Sequence, residues 1–203
     1  GGGPTTLAAA TRVGQRGVCV GVDISEPLID LARRRADEEK VENAVFVRAD
    51  AQTYAFETDR FDAVISRFGV MFFDDPVAAF TNIRRSARHD AVLTFVAGRD
   101  PAENPFMTTA ARAAAPFLPS MPAPAPNAPG QFAFADLDRV RRILEASEWR
   151  HISVRPIDVP TCVAEADLLD YVTKMGPVGV ALRKADEKTR ALATEALRTA
   201  FNP

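Results

Sequence analysis

Four short groups of residues carry the chemistry open to this chain. Gly1-Gly2-Gly3 runs directly into Pro4-Thr5-Thr6-Leu7. A loop without Cβ atoms lets backbone approach a ligand closely, and the helix start behind it offers unpaired N–H groups. Asp23 closes the apolar run Val18-Cys19-Val20-Gly21-Val22 and follows Gly3 by twenty residues. That is the spacing at which a doubly wound α/β fold grips the ribose of a nucleotide-like cofactor. Asp50 follows a second such run, Ala44 to Arg48, and a third, Phe61 to Ser66, closes on Ser66 with Arg67 next. Ligands of open α/β sheets bind outside the carboxyl ends of the strands, so these polar positions should converge beside the glycines. Taken singly, Asp23 reads equally well as a helix cap, Asp50 as a turn cap and Arg67 as a surface charge. Three in register with a glycine loop favour a cofactor site.

The elements that must position these groups alternate through the first hundred residues. A helix starts at about Thr5, with Thr5 or Thr6 near its cap. Val18 to Val22 is a short apolar strand of the kind buried on both faces of a parallel sheet. Pro27 opens a helix that Ser25 can cap, with Leu28, Leu31 and Ala32 on one face. Asp75-Pro76 opens another, with Val77, Phe80, Ile83 and Ala87 inward, and Ala91 to Ala97 is a fourth strand. Alternation of this sort implies right-handed crossovers, a mostly parallel sheet and helices on both faces. From Pro116 to Pro129 the proline density predicts a stiff, extended surface loop. A helix follows with Leu137, Val140 and Leu144 on one face. His151 to Val159 reads as a strand, with Pro156 at an edge or bulge. Two helices end the chain, about Ala164 to Met175 and Asp186 to Phe201, the latter with Leu192, Ala196, Leu197 and Ala200 as its apolar stripe. The organisation expected is a core over 1–100, a proline-rich loop or lid over 101–135, and a segment over 136–203 that completes the same domain.

Composition narrows the function classes. The 203 residues are 47% hydrophobic and 26% charged, with a net charge of -2, so no global field draws the chain to nucleic acid. Arg33-Arg34-Arg35 is followed by Asp37, Glu38 and Glu39, the pattern of a solvated helix face. Cys19 and Cys162 both lie in apolar, strand-like runs and read as buried thiols in a reducing cytoplasm. With His89 and His151 they lack the spacings of a metal site. No apolar stretch approaches the ~18 residues of a membrane span.

These motifs resemble the class I S-adenosylmethionine-dependent methyltransferases of the small-molecule branch. Gly1 and Gly3 match the last two glycines of that family's first motif, and Thr5-Thr6-Leu7 its helix entry. Val20-Gly21-Val22-Asp23-Ile24-Ser25 is similar to the second motif, Phe46-Val47-Arg48-Ala49-Asp50-Ala51 to the third, and the run from Phe61 through Ser66-Arg67-Phe68-Gly69 to Phe72 to the fourth. The resemblance implies a Rossmann-like sheet and S-adenosylmethionine as cofactor. It implies that Gly1, Gly2 and Gly3 face the methionine side and that Asp23 holds the ribose hydroxyls. Ile24 would lie against the adenine, Asp50 would meet its amino group, and the Ala51 N–H a ring nitrogen. The backbone at Ser66 and Arg67 would face the methionine part. Relative to the family pattern, the strand before the glycines and the last strand are absent, and Arg88-His89-Asp90-Ala91 stands where a glycine turn is common. A longer parent chain, or a homodimer, is the corresponding expectation.

Methyl transfer from a sulfonium needs alignment and exclusion of water more than side-chain catalysis. The acceptor expected is a small molecule. Its general base is unassigned, with His89 and His151 candidates by residue type alone. Arg67, Met71 and Phe72 fall on the acceptor side, and the proline-rich loop with the helices around Tyr171 and Met175 would form a lid. Two other readings compete. A nicotinamide-dependent reductase shares the glycines and the acid, but its Tyr-x-x-x-Lys pair is absent: Thr58 follows Tyr54 at that spacing, and Met175 follows Tyr171. A non-catalytic methyltransferase-like binding or scaffold subunit is compatible with the same motifs.

Overall fold

The computed structural model describes residues 1–118, 128–160 and 162–201, and for Met107 the backbone alone. The chain forms two units. The first comprises Gly1–Gly98 with Pro129–Ser153, the second Arg99–Ala128 with Val154–Pro203. The segment from 136 onward therefore divides at Ser153.

In the first unit α1 (Pro4–Val13), β1 (Cys19–Asp23), α2 (Glu26–Glu39) and β2 (Ala44–Arg48) are followed by β3 (Phe61–Arg67), a 3-10 turn (Val70–Phe72), α3 (Pro76–Ser86) and β4 (Ala87–Val96). β1 pairs parallel with β2, and β3 pairs parallel with β4, giving two two-stranded sheets. The alternation expected from the sequence is present, with parallel pairing throughout.

The helix starts have local causes. Gly3, not Thr5 or Thr6, caps α1, and Pro4 takes the first helical position. Proline suits that position because its fixed φ is helical and its missing N–H would have had no partner. Asn43 holds the far end of this helix. Its amide Nδ2 donates to the carbonyls of Ala10 at 3.0 Å, Gly14 at 2.8 Å and Gly17 at 3.1 Å. Ser25 caps α2 by backbone conformation, without a side-chain bond. Asp75 caps α3 by accepting the Ala78 N–H at 3.0 Å. Ala79, Phe80 and Ile83 face inward from α3, whereas Val77 is exposed and Ala87 already belongs to β4. That strand begins four residues before the expected Ala91. Its pairing jumps from Phe61–Ala87 to Ala63–Val92, so Arg88, His89, Asp90 and Ala91 bulge from the ladder where a turn was expected.

The helix α5 (Leu137–Ala146) joins this unit through an aromatic core. Phe80 is fully buried, with the Phe95 ring at 5.7 Å and the Phe134 ring at 6.1 Å. Trp149 donates its Nε1–H to the Phe80 carbonyl at 3.2 Å, and the Arg84 guanidinium lies 5.5 Å from the Trp149 ring centre. Val140, Ile143 and Leu144 are buried, but Leu137 is exposed at the helix start. A smaller cluster of Leu7, Ile29, Ala32 and Phe46 holds α1 and α2 against β2.

The second unit is helical: α4 (Pro105–Ala114), α6 (Glu165–Lys174), α7 (Gly176–Lys184) and α8 (Glu187–Phe201). Its core includes Ala114, Leu118, Val178, Leu182, Ala193 and Leu197. Three helices close the chain where two were expected, since Gly176-Pro177 starts α7 directly after α6. The inward stripe of α8 runs through Ala193 and Leu197, while Leu192 and Ala200 are exposed. Residues four apart share a helix face, so the true stripe lies one position from the expected start. His151 to Val159 forms no strand. Pro156 and Pro160 cannot donate to a ladder, and this stretch is mostly exposed. The extended loop expected from Pro116 to Pro129 falls largely on 119–127, outside the described residues. Before it, Leu118 continues from α4 into the core. Cys19 is half-buried in β1, but Cys162 is exposed, against the expectation of two buried thiols.

Candidate functional site

The glycine loop is shaped by its glycines. Gly3 has φ +94°, and a Cβ there would lie 2.9 Å from the Cβ of Ala32 on α2. Both the backbone conformation and the close approach of helix to loop require glycine. The first bond of α1 runs from the Leu7 N–H to the Gly3 carbonyl at 2.9 Å, which leaves the Thr5 and Thr6 N–H groups at the open end. Arg35 reaches back from α2 to donate to the Gly2 carbonyl at 2.9 Å, and Arg33 donates to the Phe46 carbonyl at 3.1 Å. Two of the three arginines read as a solvated face therefore hold backbone beside the candidate site.

Asp23 ends β1 with its carboxylate toward this loop. One oxygen accepts the Ser25 N–H at 2.8 Å, and the other pairs with the Gly1 ammonium. The strand register sets Asp23 beside Arg48, and the Ala49 N–H donates to the Asp23 carbonyl at 3.0 Å. Asp50 and Ala51 thus emerge next to Asp23. Asp50 Oδ1 accepts the Gln52 N–H at 2.9 Å, and the Asp50 carbonyl accepts from Tyr54 at 2.8 Å. These bonds fold the loop into a tight turn on which Asp50 stays exposed. Ile24 is 69% exposed, a large apolar side chain with nothing packed over it.

Ser66 and Arg67 end β3 opposite Phe95 and Val96 of β4. Two amides tie this region to the loop after β2. Gln52 Oε1 accepts the Asp75 N–H at 2.9 Å, and Asn82 Nδ2 donates to the Ala51 carbonyl at 3.0 Å and the Tyr54 carbonyl at 2.8 Å. Gly1, Gly2, Gly3, Asp23, Ile24, Asp50 and Ala51 are therefore gathered at the carboxyl ends of β1 and β2, and α3 links them to the segment after β3. Arg35, Gln52 and Asn82 hold the arrangement and were not singled out from sequence. They stand at spacings that match no motif, and only the folded chain brings them to their backbone partners.

Phe68 follows with φ +61°. A bulky side chain in the left-handed region costs roughly 1–2 kcal/mol. Its N–H donates to the Val96 carbonyl at 2.9 Å, which fixes the end of β3 against β4. Met71 is buried and held twice, its carbonyl accepting from Gly130 at 2.9 Å and its Sδ from Gly98 at 3.1 Å.

The remaining candidates lie elsewhere. His89 is almost fully exposed and bonds Asp90. It sits in the bulge before Val92, and the regular ladder from Val92 to Val96, roughly 13 Å of strand, separates it from the carboxyl edge. His151 is exposed in a left-handed turn after α5. Neither histidine is brought to the gathered residues by its own element. Tyr171 and Met175 belong to the second unit, where the Tyr171 ring lies 5.9 Å from Phe106. Among the described residues no group of three or more His, Cys, Asp or Glu converges on a common point. Burial raises the Cys19 thiol above its ordinary range.

Residues 1–90 match a protein family described as a methyltransferase domain. Aklanonic acid methyltransferase DauC of a Streptomyces species is 32% identical over 95 residues, which are 47% of this chain and 43% of that protein. The YcgJ protein of Bacillus subtilis has a solved structure that superposes with a TM-score of 0.56 at 19% identity, over 86% of this chain and 71% of that one. An S-adenosylmethionine-dependent methyltransferase from Aquifex aeolicus superposes with a TM-score of 0.50 at 13% identity, over 69% and 63% of the two chains. The chain spans less than half the length of the curated relatives it matches. The fold of the first unit is the Rossmann-like one of these methyltransferases.

Proposed function

We propose, from the premise that residues 1–90 are a methyltransferase domain of the class I S-adenosylmethionine-dependent fold, that the intact protein transfers a methyl group from S-adenosylmethionine to a small-molecule acceptor. The observation that carries this reading is the gathering of Gly1–Gly3, Asp23 and Asp50-Ala51 at adjoining strand ends. The residues fit the cofactor. Gly3 lets the loop seat tightly on Ala32 of α2, which fixes the open start of α1, Asp23 offers a carboxylate to hydroxyl donors, and Ile24 offers an uncovered apolar face. Asp50 presents an acceptor for an amino group. The Ala51 N–H has no protein partner among the described residues and suits a ring nitrogen.

When bound, S-adenosylmethionine supplies an activated methyl group on a sulfonium. The part left to the chain is to bind, align and exclude water, which is why no catalytic triad is needed. Arg35 holds the glycine loop from behind, and Gln52 with Asn82 holds the loop after β2. The acceptor class rests on the small-molecule relative, DauC. Two free thiols, one of them exposed, suit a reducing compartment such as the cytoplasm. Among the described residues no helix is long and apolar enough to cross a membrane.

Titration calorimetry with S-adenosylmethionine and its demethylated product tests the reading. Both should bind, and Asp23→Ala should weaken binding by about 1–3 kcal/mol, the value of charge-assisted bonds to the ribose. Absence of heat with either compound overturns the proposal. Unchanged affinity in Asp23→Ala reduces Asp23 to a cap for the turn at Ser25.

A further inference from the structure

The segment after β3 carries an arrangement that cofactor binding leaves unused. Phe68 holds a left-handed backbone that glycine or asparagine adopts with little strain, yet the position is filled by a large aromatic ring. The turn around it is fixed. The Phe68 N–H bonds Val96, and a Cβ on Gly69 would lie 3.1 Å from Ser66 Oγ. Val70 and Met71 are buried at 4% and 2% exposure, and Met71 is anchored by Gly130 and Gly98. With its middle pinned inside, this segment leaves Phe68 and Phe72 outside at 44% and 59% exposure. Arg67, immediately before, pairs with Val96 through its backbone and is exposed, its guanidinium making no hydrogen bond or ion pair among the described residues. One cation and two aromatic rings thus stand within six residues at the carboxyl end of β3, the end at which α/β sheets bind ligands. Strain kept at such a position is commonly part of a binding function.

We propose that Arg67, Phe68 and Phe72 recognise the methyl acceptor, and that the acceptor is a flat conjugated ring system carrying an anionic group. The rings supply faces for stacking, which rewards planar partners over saturated ones of equal size. The Arg67 guanidinium supplies a planar fork for a carboxylate or a similar anion. Arg67 and Phe68 act as specificity-determining residues, with the anion as a handle that orients the ring. This inference rests on the methyl-transfer reading above.

The test uses the whole chain saturated with S-adenosylhomocysteine, and 1-hydroxy-2-naphthoate as the probe. Calorimetry should show binding of this probe at least tenfold tighter than of 2-naphthol, which lacks the carboxylate, or of cyclohexanecarboxylate, which lacks the aromatic ring. Arg67→Gln should weaken the naphthoate at least fivefold and leave 2-naphthol unchanged. Phe68→Ala and Phe68→Asn should both weaken it at least fivefold, while the asparagine variant melts at a higher temperature than the alanine one. A merely structural Phe68 predicts instead that asparagine restores binding together with stability, and that result overturns the proposal. Equal affinity for all three probes, or no naphthoate binding to a protein that binds S-adenosylhomocysteine, also overturns it while leaving the methyl-donor reading intact. Failure to bind S-adenosylhomocysteine removes both.

Discussion

Removing the Asn43 side chain should loosen the first unit by a definite amount. One amide group reaches three carbonyls, at the end of α1 and in the loop beyond it, at 2.8 to 3.1 Å. Its two hydrogens make two full bonds' worth of interaction, each contributing about 0.5–1.5 kcal/mol net. Ala10 and Gly14 keep one backbone donor each, from the Gly14 and Gly17 N–H groups, and the Gly17 carbonyl, which loses its donor, is on a half-buried residue that water can reach. Asn43→Ala should therefore cost about 1–3 kcal/mol. Asn43→Asp is the sharper perturbation. It preserves shape but sets a carboxylate against three carbonyl oxygens, which should cost about 1–2 kcal/mol beyond alanine. Urea denaturation followed by fluorescence reads this directly, because the chain has a single tryptophan and Trp149 is buried in the same unit. With a urea dependence of about 2 kcal/mol per M, the alanine variant's midpoint should fall by about 0.5–1.5 M. The aspartate deficit should shrink on acidification toward the ordinary carboxylate range near ~3.9, where a protonated carboxyl regains a donor. An Asn43→Asp variant as stable at neutral pH as Asn43→Ala would refute the reasoning, since the carbonyls would then not face the side chain.

Other expectations concern different parts of the chain. Asp186 accepts the Thr189 N–H at 2.7 Å ahead of α8, and this backbone bond holds its carboxyl below the ordinary range. The stabilisation is present above the unfolded carboxylate pKa and is lost as pH falls through the lower folded one. Amide exchange in the first turn of α8 should accelerate on acidification, and Asp186→Asn should abolish that dependence; an identical profile in the variant counts against the cap. Leu197 is fully buried, and Leu197→Ala should destabilise the second unit by about 2–5 kcal/mol, read as faster exchange in α4 and α8, with an effect below 1 kcal/mol contradicting the packing. At neutral pH a maleimide should label the exposed Cys162 well before the half-buried Cys19, whose thiol burial pushes up; equal rates would count against that burial.

How much was legible in the sequence follows from range of interaction. β2 was read at its observed bounds, and β1 and β3 within a residue, because short apolar runs ending in a polar residue are local signals. The candidate residues are local signals too: Asp23 stands twenty residues after Gly3, and Asp50 follows the next apolar run. The bulge at residues 88–91 was read as a turn because nothing local says that Ala87 already pairs with Phe61. The assignment of His151 to Val159 as a strand weighed the apolar residues and underweighed Pro156 within it and Pro160 directly after. The α8 stripe was displaced because alanines stand on both sides of it. Arg35, Gln52 and Asn82 were invisible for a different reason: each bonds a backbone group at least 23 residues away, a carbonyl for Arg35 and Asn82 and the Asp75 N–H for Gln52, and no periodicity encodes such a pair.

The division of the first unit has a consequence for synthesis. Its aromatic core joins Phe80 to Phe134 and Trp149, but the chain passes through Arg99–Ala128 in between. A ribosome adding ~5–20 residues per second takes roughly 3–11 s to travel from Gly98 to Ser153. During that interval Phe80, Ile83 and Phe95 have emerged without the side chains that cover them. The nascent chain carries a sticky half-core through those seconds, and the first unit closes only when Trp149 leaves the exit tunnel. Slower translation across 99–153 lengthens that exposure, so the yield of folded protein should depend on elongation rate there more than on the rate over the first ninety residues.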